Sequence, residues 1–491
     1  MRELLRHHKR SFVLTSVGAI AFRLVFIFAL PVVSGDSLIY GDIAKNWLRY
    51  GVFGLSTDHG VQPTYIRLPG YPAFLAAIFK IFGMEHYTAA MLTQMFVDVA
   101  TCFVTAALVL GILAGTRDEV WRRRAERAAL SAFFLTAFCP FLANYVAAPL
   151  SETWSIFLTA AALLMGIRGM RWTRTTGDPG KDPTLSPKAG DEDAAAFGYW
   201  LGCGAVVGIA ILFRPDNGLL AAVIGGALLF NLLCAQQKLR MFKAGLAFTL
   251  AVVGCMAPWT VRNLRTMHRF EPLAPRYAND PGEPTPMGFN RWVKTWIVDF
   301  ISVQQVYWNV DGNPVDPNQL PTRAFDNEGQ RQRTLKLLDE YNDSLSMTPE
   351  FDARFGALAA ERIRAHPVRY YIELPLARIA DMWLRPRTEM LPIETDWWNY
   401  DDHDDESRIA MYLGALNLFY LVMAVVGFVR CRRSANLAAV ALLAAFILAR
   451  TALLGTLENP EPRYTLECFP IVLALAAIGL TRSPRASAKV S

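Results

Sequence analysis

Residues 87–113 read YTAAMLTQMFVDVATCFVTAALVLGIL, a stretch with one charged side chain. It is long enough to cross the roughly 30 Å hydrocarbon core of a bilayer as a single helix. Of the 491 residues in the chain, 53% are hydrophobic and 19% are charged, and the mean hydropathy is +0.24. These values exclude a disordered or fibrous chain and argue against a single soluble enzyme domain. We therefore predict an all-α, polytopic transmembrane helix bundle.

Ten predicted spans account for the apolar blocks. They cover residues 11–33, 87–113, 128–147, 152–168, 197–213, 217–235, 243–261, 409–429, 436–455 and 466–481. With a cytoplasmic N-terminus, the inner segments carry basic clusters such as 122–124 and 430–433, whereas the short outer connections carry only Arg214 and Arg463. This asymmetry follows the positive-inside rule and predicts that both termini are cytoplasmic. It explains the net charge of +6 better than a nucleic-acid partner does.

The basic N-terminus followed by an apolar run is similar to a signal peptide. However, the run 11–33 is longer than the usual h-region of about 7–15 residues, and no clear A-x-A cleavage site follows it. We predict an uncleaved first span. Arg23 lies inside this span and is expected to face other helices rather than lipid.

Two outer segments are too long to be simple turns. The first contains a helical stretch at 37–50 and then the apolar run 73–82, which is too short to span and is expected at the outer interface. The second is a polar insertion large enough for a small domain. The predicted parts of the chain are the N-terminus with the first span (1–33), the first periplasmic loop (34–86), the transmembrane core (87–262), a mostly helical periplasmic domain (263–408), and the C-terminal spans with a cytoplasmic tail (409–491).

Within the polar insertion, Thr348 and Pro349 predict an N-cap and a first-turn proline. The apolar residues at 351, 355, 358 and 363 then form one helical stripe. The stretch 368–384 is amphipathic and suited to the membrane surface. Four aromatic residues of the insertion could stack on sugar rings or form an interfacial belt: Trp292, Trp296, Tyr307 and Trp308.

Neither the cysteines nor the acidic run near residue 400 predict a metal or redox site. The seven cysteines lie in or beside apolar blocks, and none has CxxC spacing, so no disulfide framework is expected. The run Asp401–Glu406 has oxygen ligands suited to a divalent cation. Because such runs are usually solvated acidic loops, we assign no metal ligands there.

Asp36, directly after the first span, is the strongest candidate for chemistry. A carboxylate at the outer mouth of a helix bundle could act as a general base for an acceptor hydroxyl or amine. Its alternative is the N-cap of the helix that follows. Arg67 comes next, in a backbone fixed by two prolines and a glycine. Its guanidinium could bind two oxygens of a phosphate. The alternative is that the side chain only extends to the lipid headgroups.

Further charged and aromatic residues are predicted at the same outer rim. Glu152 begins a span. The alternative to a role in chemistry is that its negative charge only stabilises the helix N-terminus. Arg214 stands beside Asp216, and a simple ion pair is its alternative. The remaining candidates for substrate binding are Tyr71, Arg262, Arg463 and Tyr464. A transfer that expels a lipid phosphate needs such a set, because it requires a base and fixed positive charge where the leaving group becomes negative.

In this order the motifs resemble those of the C-type (GT-C) polytopic glycosyltransferases. More narrowly, they resemble the bacterial branch related to protein O-mannosyltransferases and to the lipid A aminoarabinose transferase. The resemblance extends from the first span to the last, except in 264–408. It rests on Gly35-Asp36-Ser-Leu-Ile-Tyr40, Arg67-Leu-Pro-Gly-Tyr-Pro72, Pro149-Leu-Ser-Glu152-Thr153, Arg214-Pro-Asp216, Pro258-Trp-Thr-Val-Arg262-Asn263 and Glu461-Pro-Arg463-Tyr464.

The resemblance implies roles for several positions. Asp36 matches the catalytic base in the first outer loop, and Glu152 matches a second acidic residue that positions the acceptor or, in some relatives, a metal. Arg67 and Arg463 match in context the residues that hold the lipid phosphate. Asp36 is followed by Ser37, where many eukaryotic members have a second acidic residue, and this departure argues against protein mannosylation.

The resemblance implies an inverting glycosyltransferase in the bacterial inner membrane with a periplasmic active site. The donor would be a sugar linked to a polyprenyl phosphate, and the acceptor a lipid, a protein or a glycan. No soluble cofactor is required, and a divalent metal stays an open alternative. The rival hypothesis is a transporter or flippase of a lipid-linked sugar, although no inverted repeat or mid-membrane charge pattern supports it.

Overall fold

The computed structural model describes residues 1–113, 119–175, 189–234, 238–280, 282–394, 397–398, 400, 404–431 and 436–481. In the described part, all regular secondary structure is helical apart from one short hairpin, so the predicted all-α class is confirmed. Its helices are α1 (Arg2–His7), α2 (Lys9–Ala29), α3 (Asp36–Tyr50), α4 (Gly70–Phe82), α5 (Tyr87–Ile112), α6 (Glu119–Ala137), α7 (Pro140–Ala143), α8 (Glu152–Thr175), α9 (Ala189–Phe213), α10 (Gly218–Cys234), α11 (Lys238–Thr266), α12 (Met287–Val293), α13 (Phe300–Ser302), α14 (Glu328–Ser344), α15 (Pro349–Ala365), α16 (Leu374–Leu384), α17 (Asp404–Cys431), α18 (Leu437–Gly455) and α19 (Phe469–Leu480). Short 3-10 or π-helical turns cover Asn144–Ala147, Pro215–Asn217, Val303–Tyr307, Pro317–Gln319, Thr322–Ala324, Arg369–Glu373 and Pro462–Cys468.

The number of spans agrees with the sequence. Among the described residues, nine helices are long and apolar enough to cross a membrane. The remaining predicted span, 128–147, is a bent pair in which α6 and the segment Pro140–Ala147 meet at 48°. The bend falls at Pro140, which cannot donate a backbone hydrogen bond to the preceding turn. The apolar run 73–82 lies in α4, which has 13 residues and is too short to span.

The hairpin is the element that the sequence analysis missed. Strands β1 (Gly54–Thr57) and β2 (Gly60–Pro63) pair antiparallel between α3 and α4. Gly60 closes the turn with φ +99°, a conformation that side chains disfavour. Asp42 on α3 holds the hairpin, because it accepts hydrogen bonds from the backbone and hydroxyl of Ser56.

The chain divides into two compact units. The first comprises the described residues of Met1–Ala278, Phe419–Ile447 and Leu466–Ser491, and the second those of Asn279–Leu418 and Leu448–Thr465. In the first unit α19 is buried from Phe469 to Gly479. Such a helix, apolar on all sides, is the centre of a bundle rather than a lipid-facing span.

Arg23 is fully buried in the first unit, as predicted for an ionisable group within a span. Its Nε donates to Oδ2 of Asp98 on α5 at 2.6 Å, and its Nη1 donates to the carbonyl of Ala137 at 2.7 Å. Asp98 is 1% exposed. The charge therefore faces α5 and the bend of α6, away from lipid.

Helices α17 and α19 touch backbone to backbone at a pair of glycines. A Cβ built on Gly427 would lie 1.8 Å from the carbonyl oxygen of Leu475, and one built on Gly479 would lie 2.2 Å from that of Met423. Small residues permit this close approach, on which helix packing in membranes depends.

We expect Gly427→Ala to destabilise the first unit by about 1–3 kcal/mol, because the added methyl group must push two backbones apart. Gly226→Ala on α10 is the matched control, since a Cβ there meets nothing within 4 Å. Thermal unfolding in detergent measures both. Equal unfolding midpoints for the two variants would contradict the close contact.

The second unit has its own core. Trp292, Trp296, Tyr341 and Phe355 are fully buried there. Helix α15 starts as predicted, because the Thr348 hydroxyl accepts a hydrogen bond from the Phe351 amide at 3.3 Å. The predicted stripe on this helix packs into the core.

Candidate active site

Asp36 and Arg67 form an ion pair between α3 and the segment before α4. Nη2 of Arg67 lies 2.6 Å from Oδ1 of Asp36, and the side chains are 19% and 29% exposed. Asp36 is the first residue of α3, and the N-cap position belongs to Gly35, so the alternative reading of Asp36 as an N-cap is wrong. The pair joins the two most specific sequence motifs in one accessible charged site.

Two buried tyrosines line this pair. The Tyr40 ring lies 5.9 Å from the Arg67 guanidinium and 5.0 Å from the Tyr71 ring. Burial raises the pKa of both phenols, and the negative charge of Asp36 raises that of Tyr40 further, against the opposing effect of Arg67. Both phenols therefore stay neutral at pH 7 and can donate hydrogen bonds.

Gln94 on α5 joins this site to the start of α8. Its Oε1 accepts a 2.5 Å hydrogen bond from the Tyr71 hydroxyl, and its Nε2 donates to the carbonyl of Ala148 at 2.9 Å. Ala148 directly precedes the Pro149-Leu-Ser-Glu152 motif. A fully buried amide thus fixes two motif segments relative to each other.

Glu152, at the start of α8, belongs to a second charged cluster. Its Oε1 lies 2.8 Å from Nη1 of Arg214, and Nε of Arg214 lies 3.3 Å from Asp216 and 3.4 Å from Glu467. The predicted Arg214–Asp216 pair exists, within a larger network. The Tyr71 ring lies 6.4 Å from the ring of Phe213, which directly precedes Arg214, so the two clusters are neighbours.

Arg262 has a set of contacts different from those of Arg67. Its guanidinium donates to the carbonyls of Thr64 and Phe53 at 2.7 and 2.6 Å, and it lies over the rings of Phe53 and Trp259. These contacts fix the end of the β1–β2 hairpin to α11. We therefore leave Arg262 out of the proposed substrate contacts.

Arg463 and Tyr464 lie in the second unit. Nε of Arg463 is 2.5 Å from Oε2 of Glu461, and the Tyr464 hydroxyl donates to Oε1 of the same carboxylate at 2.5 Å. Arg450 on α18 donates to the Tyr464 carbonyl at 2.8 Å. Glu461 therefore holds Arg463 and Tyr464 of the same motif together.

Two expectations from the sequence need correction or restriction. Trp292 and Trp296 are fully buried, so they neither stack on a sugar nor form an interfacial belt. In the run Asp401–Glu406, residues 401–403 lie outside the described part, and Asp404 pairs with Arg408 at 2.7 Å. Across the described ranges, no group of three or more His, Cys, Asp or Glu is arranged to hold a metal.

Sequence reasoning missed Glu467 and Gln94. Glu467 is fully buried and accepts a 3.1 Å hydrogen bond from the Ser155 hydroxyl. A signal existed, because Glu467 is the sole charged residue in the predicted span 466–481. An ionisable residue inside an apolar span is a functional candidate by default.

Similarity to solved structures identifies the fold. The apo oligosaccharyltransferase of Archaeoglobus fulgidus superposes with a TM-score of 0.50 at 14% identity, over 95% of this chain and 50% of that one. The chain has the GT-C fold. It spans about half the length of the oligosaccharyltransferase structures that it matches.

Two further structures with this fold align at lower scores. AglB from Archaeoglobus fulgidus, in complex with an inhibitory peptide and a dolichol-phosphate, gives a TM-score of 0.49 at 12% identity, over 95% of this chain and 50% of that one. ArnT from Cupriavidus metallidurans, bound to undecaprenyl phosphate, gives 0.38 at 14% identity, over 96% and 77%. No protein-family model and no curated protein matches the sequence.

Proposed function

We propose that this GT-C protein is an inverting glycosyltransferase that moves a sugar from a polyprenyl phosphate to a lipid, protein or glycan acceptor. The Asp36–Arg67 pair carries the proposal. It places a carboxylate and a guanidinium within 2.6 Å of each other, partly exposed and beside two neutral tyrosines. The fold, the resemblance of the surrounding motifs to the GT-C glycosyltransferases and the proximity of Glu152 support it.

In the proposed reaction, Asp36 takes the proton of the acceptor hydroxyl or amine. The acceptor oxygen or nitrogen then bonds to the anomeric carbon as the bond from that carbon to the phosphate oxygen breaks. The polyprenyl phosphate leaves with the electron pair of the broken bond. Arg67 stabilises the negative charge on that phosphate, since a guanidinium matches two phosphate oxygens at once.

The remaining residues position the substrates. Glu152, held by Arg214, would orient the acceptor, and Tyr71 would line the sugar site with its ring. From the resemblance of their motif alone, Arg463 and Tyr464 are proposed as residues that bind lipid phosphate. In this proposal the enzyme lies in the bacterial inner membrane with a periplasmic active site, and no soluble cofactor takes part.

The experiment supplies membranes containing the protein with radiolabelled polyprenyl-phosphate sugars and follows the label. A glycosyltransferase moves the label to an acceptor and releases unlabelled polyprenyl phosphate. A flippase instead carries the label across vesicle bilayers while it stays on the polyprenyl phosphate. The second outcome would overturn the proposal.

We expect Arg67→Gln to lower kcat/KM for the donor by about 10- to 100-fold, because a charged donor to the leaving phosphate is lost. Arg265→Gln, an exposed arginine at the end of α11, is the control and should transfer normally. Steady-state transfer kinetics compare the two. If both variants behave like wild type, Arg67 does not contact the phosphate.

A further inference from the structure

One carboxylate of the first unit is deeply buried beside the cluster around Glu152. Glu467 belongs to the 3-10 turn Pro462–Cys468, directly before α19, and is fully buried. Its Oε1 lies 3.4 Å from Nε of Arg214. Burying an ionised carboxylate is costly unless it is paired, so this contact accounts for its presence there. Glu467 has no role in the reaction steps proposed above.

Three carboxylates contact the Arg214 guanidinium, and they come from different parts of the chain. Glu152 on α8 accepts a 2.8 Å hydrogen bond from Nη1. Asp216 contacts Nε and Nη2 at 3.3 and 3.4 Å, but it lies two residues from Arg214 in the same turn and is 19% exposed. Because Asp216 moves with that turn, it does not fix the guanidinium relative to α8. Glu467 comes from a distant segment and can do so.

The Ser155 hydroxyl on α8 holds the Glu467 carboxylate in place. It donates to Oε1 of Glu467 at 3.1 Å and accepts from Nδ2 of Asn217 at 2.9 Å, and all three side chains are fully buried. Ser155 comes three residues after Glu152, so the two lie on the same face of α8. Asn217 belongs to the turn that follows Arg214. Hydrogen bonds therefore connect Glu467 both to the helix of Glu152 and to the turn beside Arg214.

We propose that Glu467 is a positioning residue for sugar transfer, which acts through Arg214 to hold Glu152 in the orientation that binds the acceptor. This inference rests on the proposed function. The buried charge of Glu467 attracts the guanidinium in an interior where such attraction is strong. Without it, Arg214 follows Asp216 and Glu152 loses its fixed direction. A misplacement of about 1 Å near a reacting group can cost about 10²-fold in rate.

Two substitutions at Glu467 separate its charge from its shape. Glu467→Gln keeps the size and still accepts the hydrogen bond from Ser155, but it removes the charge that attracts Arg214. Glu467→Asp keeps the charge and shortens the side chain by one methylene, which leaves a gap in the packing. If Glu467 only fills space, Glu467→Gln is the milder change. If it positions Arg214, Glu467→Asp is the milder change.

The test uses the purified full-length protein and the radiolabelled polyprenyl-phosphate sugar from which wild type transfers. The acceptor is supplied as graded amounts of a detergent extract of the membranes that accept the label. Glu467→Gln should raise the half-saturating amount of extract by at least about tenfold and leave the KM for the donor within about twofold of wild type. Glu467→Asp should raise the half-saturating amount by less than about threefold. Thermal unfolding checks that each variant is folded.

A double variant shows whether Glu467 acts through Glu152. In a Glu152→Gln background, the further change Glu467→Gln should alter the half-saturating amount of extract by less than about twofold, because the group that Glu467 positions is already lost. If the two changes are instead fully additive, the inference is wrong. A larger defect in Glu467→Asp than in Glu467→Gln would also overturn it.

Failure of this inference differs from failure of the proposed function. Wild type that transfers no sugar would overturn the proposed function and this inference with it. Wild type that transfers, together with a folded Glu467→Gln whose half-saturating amount is unchanged, overturns this inference alone. If Glu467→Gln does not fold, Ser155→Ala replaces it, because it releases the Glu467 carboxylate and should raise the half-saturating amount by at least about threefold. An unchanged value in Ser155→Ala would then overturn the inference.

Discussion

Asp36→Asn is expected to lower the rate of sugar transfer by about 10²- to 10⁴-fold, the usual contribution of a general base. The substitution keeps the size of the side chain and can still contact Arg67, but it removes the group that accepts the proton. Because the base acts only as the acceptor attacks, kcat and kcat/KM should fall together and the KM for the donor should change little. The measurement is transfer of radiolabelled sugar under single-donor conditions.

Asp42→Asn is the matched control for this prediction, because Asp42 lies on the same helix and holds the β1–β2 hairpin through Ser56. It should transfer at nearly the wild-type rate, and its thermal stability should fall because the hydrogen bonds to Ser56 are weakened. If Asp36→Asn is folded and transfers within about tenfold of wild type, Asp36 is not the base. A loss of transfer in both variants alike would instead indicate that the first loop has only a structural role.

The second large effect is expected on stability, at the ion pair between Arg23 and Asp98. Asp98→Asn should destabilise the first unit by about 3–5 kcal/mol, because it leaves the Arg23 guanidinium buried without a counter-charge. Both side chains are at most 1% exposed, so water cannot replace the lost carboxylate. Thermal or chemical unfolding in detergent measures the difference.

The double variant Arg23→Met with Asp98→Leu separates charge from packing. Since buried ion pairs are often replaceable by apolar residues of similar volume, the double variant should be more stable than either single one. Single variants as stable as wild type, or a double variant no better than Asp98→Asn, would contradict this account of the pair.

The helix bundle could be predicted from sequence because its physical signal is strong and local. Apolar runs of about 20 residues match the thickness of the hydrocarbon core, so each run predicts one helix. The same reasoning predicted that Arg23 would face protein. The hairpin Gly54–Pro63 escaped it, because two four-residue strands carry little periodicity and depend on Asp42 and Arg262 for their place.

The candidate site was only partly predictable, since its contacts join residues far apart in the chain. Motif position placed Asp36 and Arg67 in one loop, but it did not distinguish a base from an N-cap. The pairing of Arg214 with Glu152, 62 residues away, and with Glu467 depends on how α8, α9 and α19 pack. A sequence pattern predicts which face of a helix is buried, but it does not predict which residues of other helices will lie against that face.

During synthesis, Arg23 enters the membrane before its partner exists. Asp98 follows 75 residues later, which at about 5–20 residues per second takes a ribosome roughly 4–15 s. Over that interval α2 carries an arginine whose insertion costs about 2.5–3.5 kcal/mol at a helix centre. The arrival of α5 removes this cost. Helix α2 is therefore not an independent membrane anchor. Its final position in the bilayer depends on α5, which is translated later.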